Sequence, residues 1–389
     1  MTEHLAHLAR LAGRMAVDTE FMTERRYRPM LCLAQFALRD SSAAEGIRTE
    51  VVDPLDGPRP GALAATLADP AVEVVVHAGR QDIALLKRVW ETRVANVFDT
   101  QVAAGFLGYG TQESYRSLVR RVLGVSIAST ESFTRWDRRP LTDDQLRYAL
   151  EDARHLLELG EALEGELERA GRLEWAREEC RWLEGVSDAR DPDALFERLP
   201  GVARLRPPAR AIARELVEWR EAVAREIDRN AGSVLPDHVL VEVARQAPRG
   251  RRALNDVRGL PESLRRRRSG GLLEAVARGA RRPAPVLAPT SRPAAAADAP
   301  VASLLGAVVR HRALDARVAA GLIATRDELT QLVSCVREGG DARRFRVLQG
   351  WRAKLVGEEL LEVLAGTRVV GVVDARRLEV GPPGAQAAG

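Results

Sequence analysis

Lysine is nearly absent from this 389-residue chain: Lys87 and Lys354 are the only two among 59 basic residues, so almost every positive charge is a guanidinium. Such planar forks suit oxyanions, carboxylates and phosphates alike. Cysteine is as scarce. Cys32, Cys180 and Cys335 stand far apart without metal-ligand spacing, which excludes a disulfide scaffold and leaves reduced, structural thiols. Six histidines, among them His4, His7 and His77, form no cluster, so no zinc site is expected. No apolar run approaches the roughly 20 residues of a membrane span, and the N-terminus lacks a signal peptide's apolar core. No membrane association is expected, and a cytoplasmic protein is. A Gly-x-x-x-x-Gly-Lys phosphate loop is missing, and Gly108-Tyr109-Gly110 is too short for a dinucleotide fingerprint, so neither an NTP-driven motor nor a nucleotide cofactor is expected.

Acidic signatures are present. Met15-Ala16-Val17-Asp18-Thr19-Glu20-Phe21 reads as a buried strand. Residues two apart on a strand share a face, so Asp18 and Glu20 project side by side. Much later, Pro140 and a capping box of Thr142 and Gln145 announce a helix. On it Tyr148 and Asp152 lie one turn apart. Carboxylates with a phenol form the oxygen-only environment that Mg²⁺ and similar hard cations take. Either fragment also occurs by chance as solvated surface, but an apolar strand makes unpaired carboxylates costly unless a cation compensates.

A third acid discriminates. After the apolar run Val72 to Val76 comes His77-Ala78-Gly79-Arg80-Gln81-Asp82, then the helical pattern Ile83, Leu86, Val89, Trp90. Asp82 thus falls in the first turn of a helix beyond a strand end, where open α/β sheets build their sites. Asp99 reads as a helix N-cap rather than a ligand.

This order of motifs resembles the DEDD family of 3′ to 5′ exonucleases, in its tyrosine-bearing branch. Val17-Asp18-Thr19-Glu20-Phe21, His77 to Asp82, Phe98-Asp99-Thr100-Gln101 and Trp136 with Arg139-Pro140-Leu141 are similar to the ribonuclease D family. The resemblance implies an α/β catalytic domain with a ribonuclease H-like mixed sheet flanked by helices, followed by two small all-α HRDC-like bundles. It further implies two divalent ions, Mg²⁺ or Mn²⁺, with Asp18 bridging both, Glu20 and Asp152 completing one site and Asp82 holding the other. Tyr148 would orient or help deprotonate the attacking water. A phenol of ordinary pKa near 10 is a poor base at neutral pH, which favours orientation. Phe21, through its backbone, and His77 are candidates for holding the terminal nucleotide; His77 reads equally as a core histidine. The expected activity is 3′ to 5′ hydrolysis of structured RNA such as tRNA precursors to nucleoside 5′-monophosphates. A DNA exonuclease of the same mechanism and a non-catalytic RNA-binding adaptor are the alternatives. Two departures stand out: only 17 residues precede Asp18, too few for the family's extra edge strand, and Arg135 replaces the usual acid before Trp136.

The expected divisions are a catalytic domain at 1–195, a first HRDC domain at 203–280, an Ala/Pro-rich linker at 281–300, a second HRDC-like domain at 301–377 and a disordered tail at 378–389. The stripe Ile212, Leu216, Trp219, Val223 supports the first bundle, with Trp219 in its core; Leu314, Val318, Leu322, Leu329 and Leu332 support the second. Between Gly201 and Arg282 there are 19 arginines, no lysine and 10 acids, a net +9 that leaves −5 elsewhere. That surplus suits a polyanion, although Arg265 to Arg268 reads equally as solvated surface. A monomer is expected.

Overall fold

The computed structural model describes residues 2–43, 45–57, 59–127, 135–286, 297–373 and 377–383. Its first part is built on five strands, β1 (Arg14–Met22), β2 (Met30–Arg39), β3 (Ile47–Val52), β4 (Glu73–Val76) and β5 (Val97–Asp99), ordered β3-β2-β1-β4-β5. The β1–β2 and β2–β3 pairs are antiparallel, while β1–β4 and β4–β5 are parallel. This mixed sheet, layered by helices, is the architecture expected from the sequence.

Strand parity divides the core. Met15, Val17, Val74 and Val76 point to one face, against α1 (Thr2–Ala12), α2 (Gly61–Leu67) and α3 (Arg80–Val89). Ala16, Ala37, Val75 and Phe98 point to the other. There they meet α4 (Thr100–Gly105) and α6 (Asp143–Arg169), with α5 (Tyr115–Leu118) at its edge and α7 (Leu173–Glu184) following. The 27-residue α6 starts at the expected capping box, Thr142 with Gln145. It crosses the sheet closely because of Gly160, where a Cβ would stand 2.7 Å from Val75 Cγ1. A bulkier residue would lift the helix, since the branched valine cannot rotate away cheaply.

Helices α8 (Pro192–Glu197), α9 (Pro207–Glu226), α10 (Ala231–Val234), α11 (Asp237–Gln246), α12 (Arg251–Asn255), α13 (Glu262–Arg267) and α14 (Ser269–Gly279) enclose a separate core around Leu216, Leu240 and Leu272. Trp219 packs against that core, half-buried. Residues 287–296, half of the expected linker, lie outside the described residues.

The last three residues of the expected linker are helical, for α15 spans Asp298–Ala316; Pro300 sits in the first turn, where its missing N–H costs nothing. Then come α16 (Ala320–Ile323), α17 (Arg326–Arg337), α18 (Gly350–Arg352) and α19 (Glu358–Leu364). Leu314, expected on the apolar stripe, is 78% exposed. Two features depart from a free-standing helical bundle with a disordered tail. The core of this unit is continuous with that beneath α6 and α7: Trp351 stacks on Trp175 at 5.5 Å and meets Phe106 edge-on at 4.9 Å. In addition, β6 (Val369–Val373) and β7 (Arg377–Gly381) form an antiparallel hairpin, so 378–381 is strand. Four β-branched valines in Val369–Val373, flanking Gly371, favour an extended backbone. Residues 384–389 lie outside the described residues.

Candidate active site

Parity on β1 decides where the acids go. Asp18 and Glu20 continue the side of Ala16, which faces α6, and a register shift in the β1–β2 pairing follows immediately after Glu20. From α6, Asp152 and Tyr148 meet them, one turn apart. Asp82 arrives from the opposite layer in the first turn of α3, and the hydroxyl of Thr19 donates to its carboxylate. One strand and two helices, with Asp18 and Asp152 separated by 134 residues of sequence, thus converge at one end of the sheet.

Burial sets the electrostatics. Desolvation first, then Asp82 and Asp152, pushes the Asp18 carboxyl well above the usual carboxylate range. Burial, then Asp18, Asp152 and Asp82, raises Glu20 to about 9. Burial also lifts Asp82 and Asp152 to about 6 each. Gln35, opposite Asp18 on β2, donates its amide to Asp18 at 2.9 Å. Asp152 Oδ1 is buried with no hydrogen-bond partner. Tyr148 is hydrogen-bonded to Asp152, and burial followed by that carboxylate drives its phenol upward. It is therefore a proton donor here, not a base.

Four crowded carboxylates and an orphaned buried oxygen fit a hard divalent cation, which would lower every one of these pKa values. Among the described residues no three acidic, histidine or cysteine side chains form a coordination cage; Thr19 and Gln35 donate hydrogen bonds to Asp82 and Asp18.

The raised values have a stability consequence. From about pH 4 to about 9 the native cluster binds more protons than the unfolded chain, so stability falls as pH rises through that window. Melting in EDTA is expected to fall from pH 5 to pH 9, less steeply in Glu20→Gln. Added Mn²⁺ should widen its stabilisation with pH. A pH-independent gap between the EDTA and Mn²⁺ curves would contradict the crowding.

Other expected residues divide. His77 Nδ1 lies 2.9 Å from Thr100 Oγ1, its ring 5.4 Å from Tyr115, and burial lowers its pKa, keeping it neutral. Phe21 packs half-buried against the core on the α1–α3 side, so its ring serves packing. Asp99 caps α4 and also accepts from the N–H groups of Ala78 and Gly79, fixing the loop that leads to Asp82. Trp136 is buried beside Tyr148, with ring centroids 6.2 Å apart, and Arg139 donates to Cys32 O at 2.7 Å. Residues 131–134 of the segment before Trp136 lie outside the described residues, and Arg135 pairs with Asp137 at 2.7 Å.

Three contributors escaped sequence reasoning: Thr19, Gln35 and Tyr115, whose hydroxyl donates to Asp152 O at 2.6 Å. Gln35 had a signal, as the one polar residue inside the apolar run Met30 to Leu38. Thr19 and Tyr115 had none.

Residues 2–168 match the 3'-5' exonuclease family and residues 209–276 match the HRDC domain. Fold and match together define a 3′ to 5′ exonuclease carrying an HRDC domain. The chain is 35% identical to a ribonuclease D of Acidiphilium cryptum (strain JF-5), over 97% of this chain and 95% of that one. A ribonuclease D of Nitrobacter hamburgensis is 33% identical over 96% and 97%. The crystal structure of Escherichia coli RNase D, described as an exoribonuclease involved in structured RNA processing, superposes with a TM-score of 0.81 at 27% identity, covering 94% of this chain and 96% of that one. This chain belongs to the ribonuclease D family and is an exoribonuclease, of a metal-dependent class. No helix among the described residues is long and apolar enough to cross a membrane.

Proposed function

We propose that this chain trims structured RNA, such as tRNA precursors, from the 3′ end and releases nucleoside 5′-monophosphates. One observation carries the reading: Asp18, Glu20, Asp82 and Asp152 converge, burial raises the pKa of each, neighbouring site carboxylates raise Asp18 and Glu20 further, and Asp152 Oδ1 is left unpartnered. These four residues would hold two divalent cations, Mg²⁺ or Mn²⁺. When bound, such ions supply Lewis acidity at the phosphate and lower the pKa of a bound water.

The chain's own residues do the rest. Gln35 fixes the Asp18 carboxylate, and Asp99 fixes the loop before Asp82. Tyr148, held protonated by its hydrogen bond to Asp152, would present its hydroxyl oxygen to orient the attacking water. Replacement by phenylalanine removes the hydroxyl and keeps the ring beside Trp136. Turnover by Tyr148→Phe is expected to fall roughly 10- to 100-fold with Mn²⁺ affinity nearly unchanged, as for other residues that orient metal-site groups. Wild-type turnover would refute the role.

The HRDC domain supplies backbone affinity. Arg249, Arg251, Arg252, Arg258 and Arg267 are exposed there and, among the described residues, form no ion pair. Free guanidiniums release counterions when they meet phosphates, so binding should weaken steeply with salt. The deciding experiment incubates the purified protein with RNA and DNA labelled at either end, with and without Mn²⁺. Metal-dependent, stepwise loss of RNA from the 3′ end is expected. Shortening from the 5′ end, or of DNA alone, would overturn the reading.

A further inference from the structure

Arg80 is in an unfavourable place for a cation. It is the first residue of α3, where the helix dipole repels positive charge. Many arginines of this chain answer a carboxylate, as Arg59 and Arg88 do, but among the described residues Arg80 has no ion pair. Its guanidinium instead lies 5.9 Å from the ring centroid of Trp182 on α7. Trp182 is 49% exposed, the only aromatic among the large exposed apolar side chains of the described residues. Folding gains little from either residue in this arrangement: the ring leaves half its surface in water, and an exposed cation–π contact contributes only modestly.

The location explains the arrangement. Arg80 lines a cleft of 440 Å³ with Gln81, Ala78, Pro29, Ser187 and Asp188. Gln81 directly precedes Asp82, and Ala78 is held by Asp99. Asp188 is neutralised by Arg88 at 2.5 Å, so the cleft does not repel an anion through that carboxylate. A guanidinium without an ion pair among the described residues, beside an exposed indole and two residues before Asp82 in the first turn of α3, offers one partner for a phosphate and one for a base. Stacking on an aromatic face tolerates any base, as an exonuclease that steps along a strand requires.

We propose that Trp182 and Arg80 form a nucleotide subsite outside the hydrolytic centre. A base of the single-stranded RNA end stacks on the Trp182 indole, and a phosphate of the same strand pairs with the Arg80 guanidinium. The subsite rests on the exoribonuclease reading in that the RNA it holds is the substrate.

The test uses the full chain with Asp18→Asn to block hydrolysis, and anisotropy of a fluorescein-labelled single-stranded RNA of about 12 nucleotides. Trp182→Ala is expected to weaken binding roughly 5- to 100-fold, the usual range for one stacked base, and Trp182→Phe to recover most of it. Arg80→Ala should weaken binding and reduce the salt slope by about 0.7. In the otherwise wild-type chain, Trp182→Ala should raise KM more than it lowers kcat, with a smaller defect on a dinucleotide than on the longer RNA. Parental affinity and salt slope in both Trp182→Ala and Arg80→Ala would overturn the subsite, as would an equal defect on both RNA lengths. Absence of hydrolysis by the wild-type chain would instead count against the exoribonuclease reading, while the anisotropy measurement still decides the subsite.

Discussion

Asp18→Asn is expected to abolish RNA hydrolysis, with a loss of at least about 1,000-fold in kcat/KM, while melting no lower than the wild-type chain in EDTA. The first effect follows if Asp18 holds the cations whose charge stabilisation is worth several kcal/mol. The second follows from crowding: removing one carboxylate relieves its repulsion with Asp82, Asp152 and Glu20. A folded variant that still degrades RNA with Mn²⁺ would refute the ligand assignment. A melting temperature several degrees below wild type would show that the Gln35–Asp18 hydrogen bond outweighs the repulsion. The two readouts separate a catalytic acid from a structural one, for which activity and stability would fall together.

Trp351→Ala is expected to destabilise the protein by about 3–5 kcal/mol, measured as urea unfolding in the full chain. The ring is 2% exposed and lies between Trp175 and Phe106, both from the catalytic half. Its neighbour Arg352 enters the same seam, where it pairs with the buried Glu179 and donates to Leu322 O at 2.8 Å. Glu179 adjoins Cys180 on α7, whose sulfur accepts from Asp99 N at 3.3 Å, and Asp99 in turn holds the loop before Asp82. The C-terminal unit therefore bears, through α7, on the positioning of a proposed metal ligand. A loss under about 1 kcal/mol would mean that the unit is only loosely seated.

What could be read in advance was local. Alternation over seven residues puts Asp18 and Glu20 on one face of β1, and Thr142 with Gln145 starts α6 where expected. The first-turn position of Asp82 and the capping role of Asp99 follow from a strand end and short-range hydrogen bonding. What could not be read involves contacts without sequence proximity. Thr19 reaching Asp82 depends on α3 packing against the far face of β1, and Tyr115 reaching Asp152 on how α5 meets α6. The hairpin at Val369–Gly381 was missed for another reason: its alternation is short and largely exposed, so it carries no burial signal.

By itself the sequence determined the set of acids, their secondary-structure carriers and the resemblance that named the enzyme class, because propensity, periodicity and capping act within a few residues. Only the tertiary structure decided that the C-terminal helices share a core with the catalytic layer, and that Arg80, without an ion pair among the described residues, lies over the exposed ring of Trp182. Those outcomes depend on which apolar faces close on one another across a hundred residues or more. No local pattern encodes that distance.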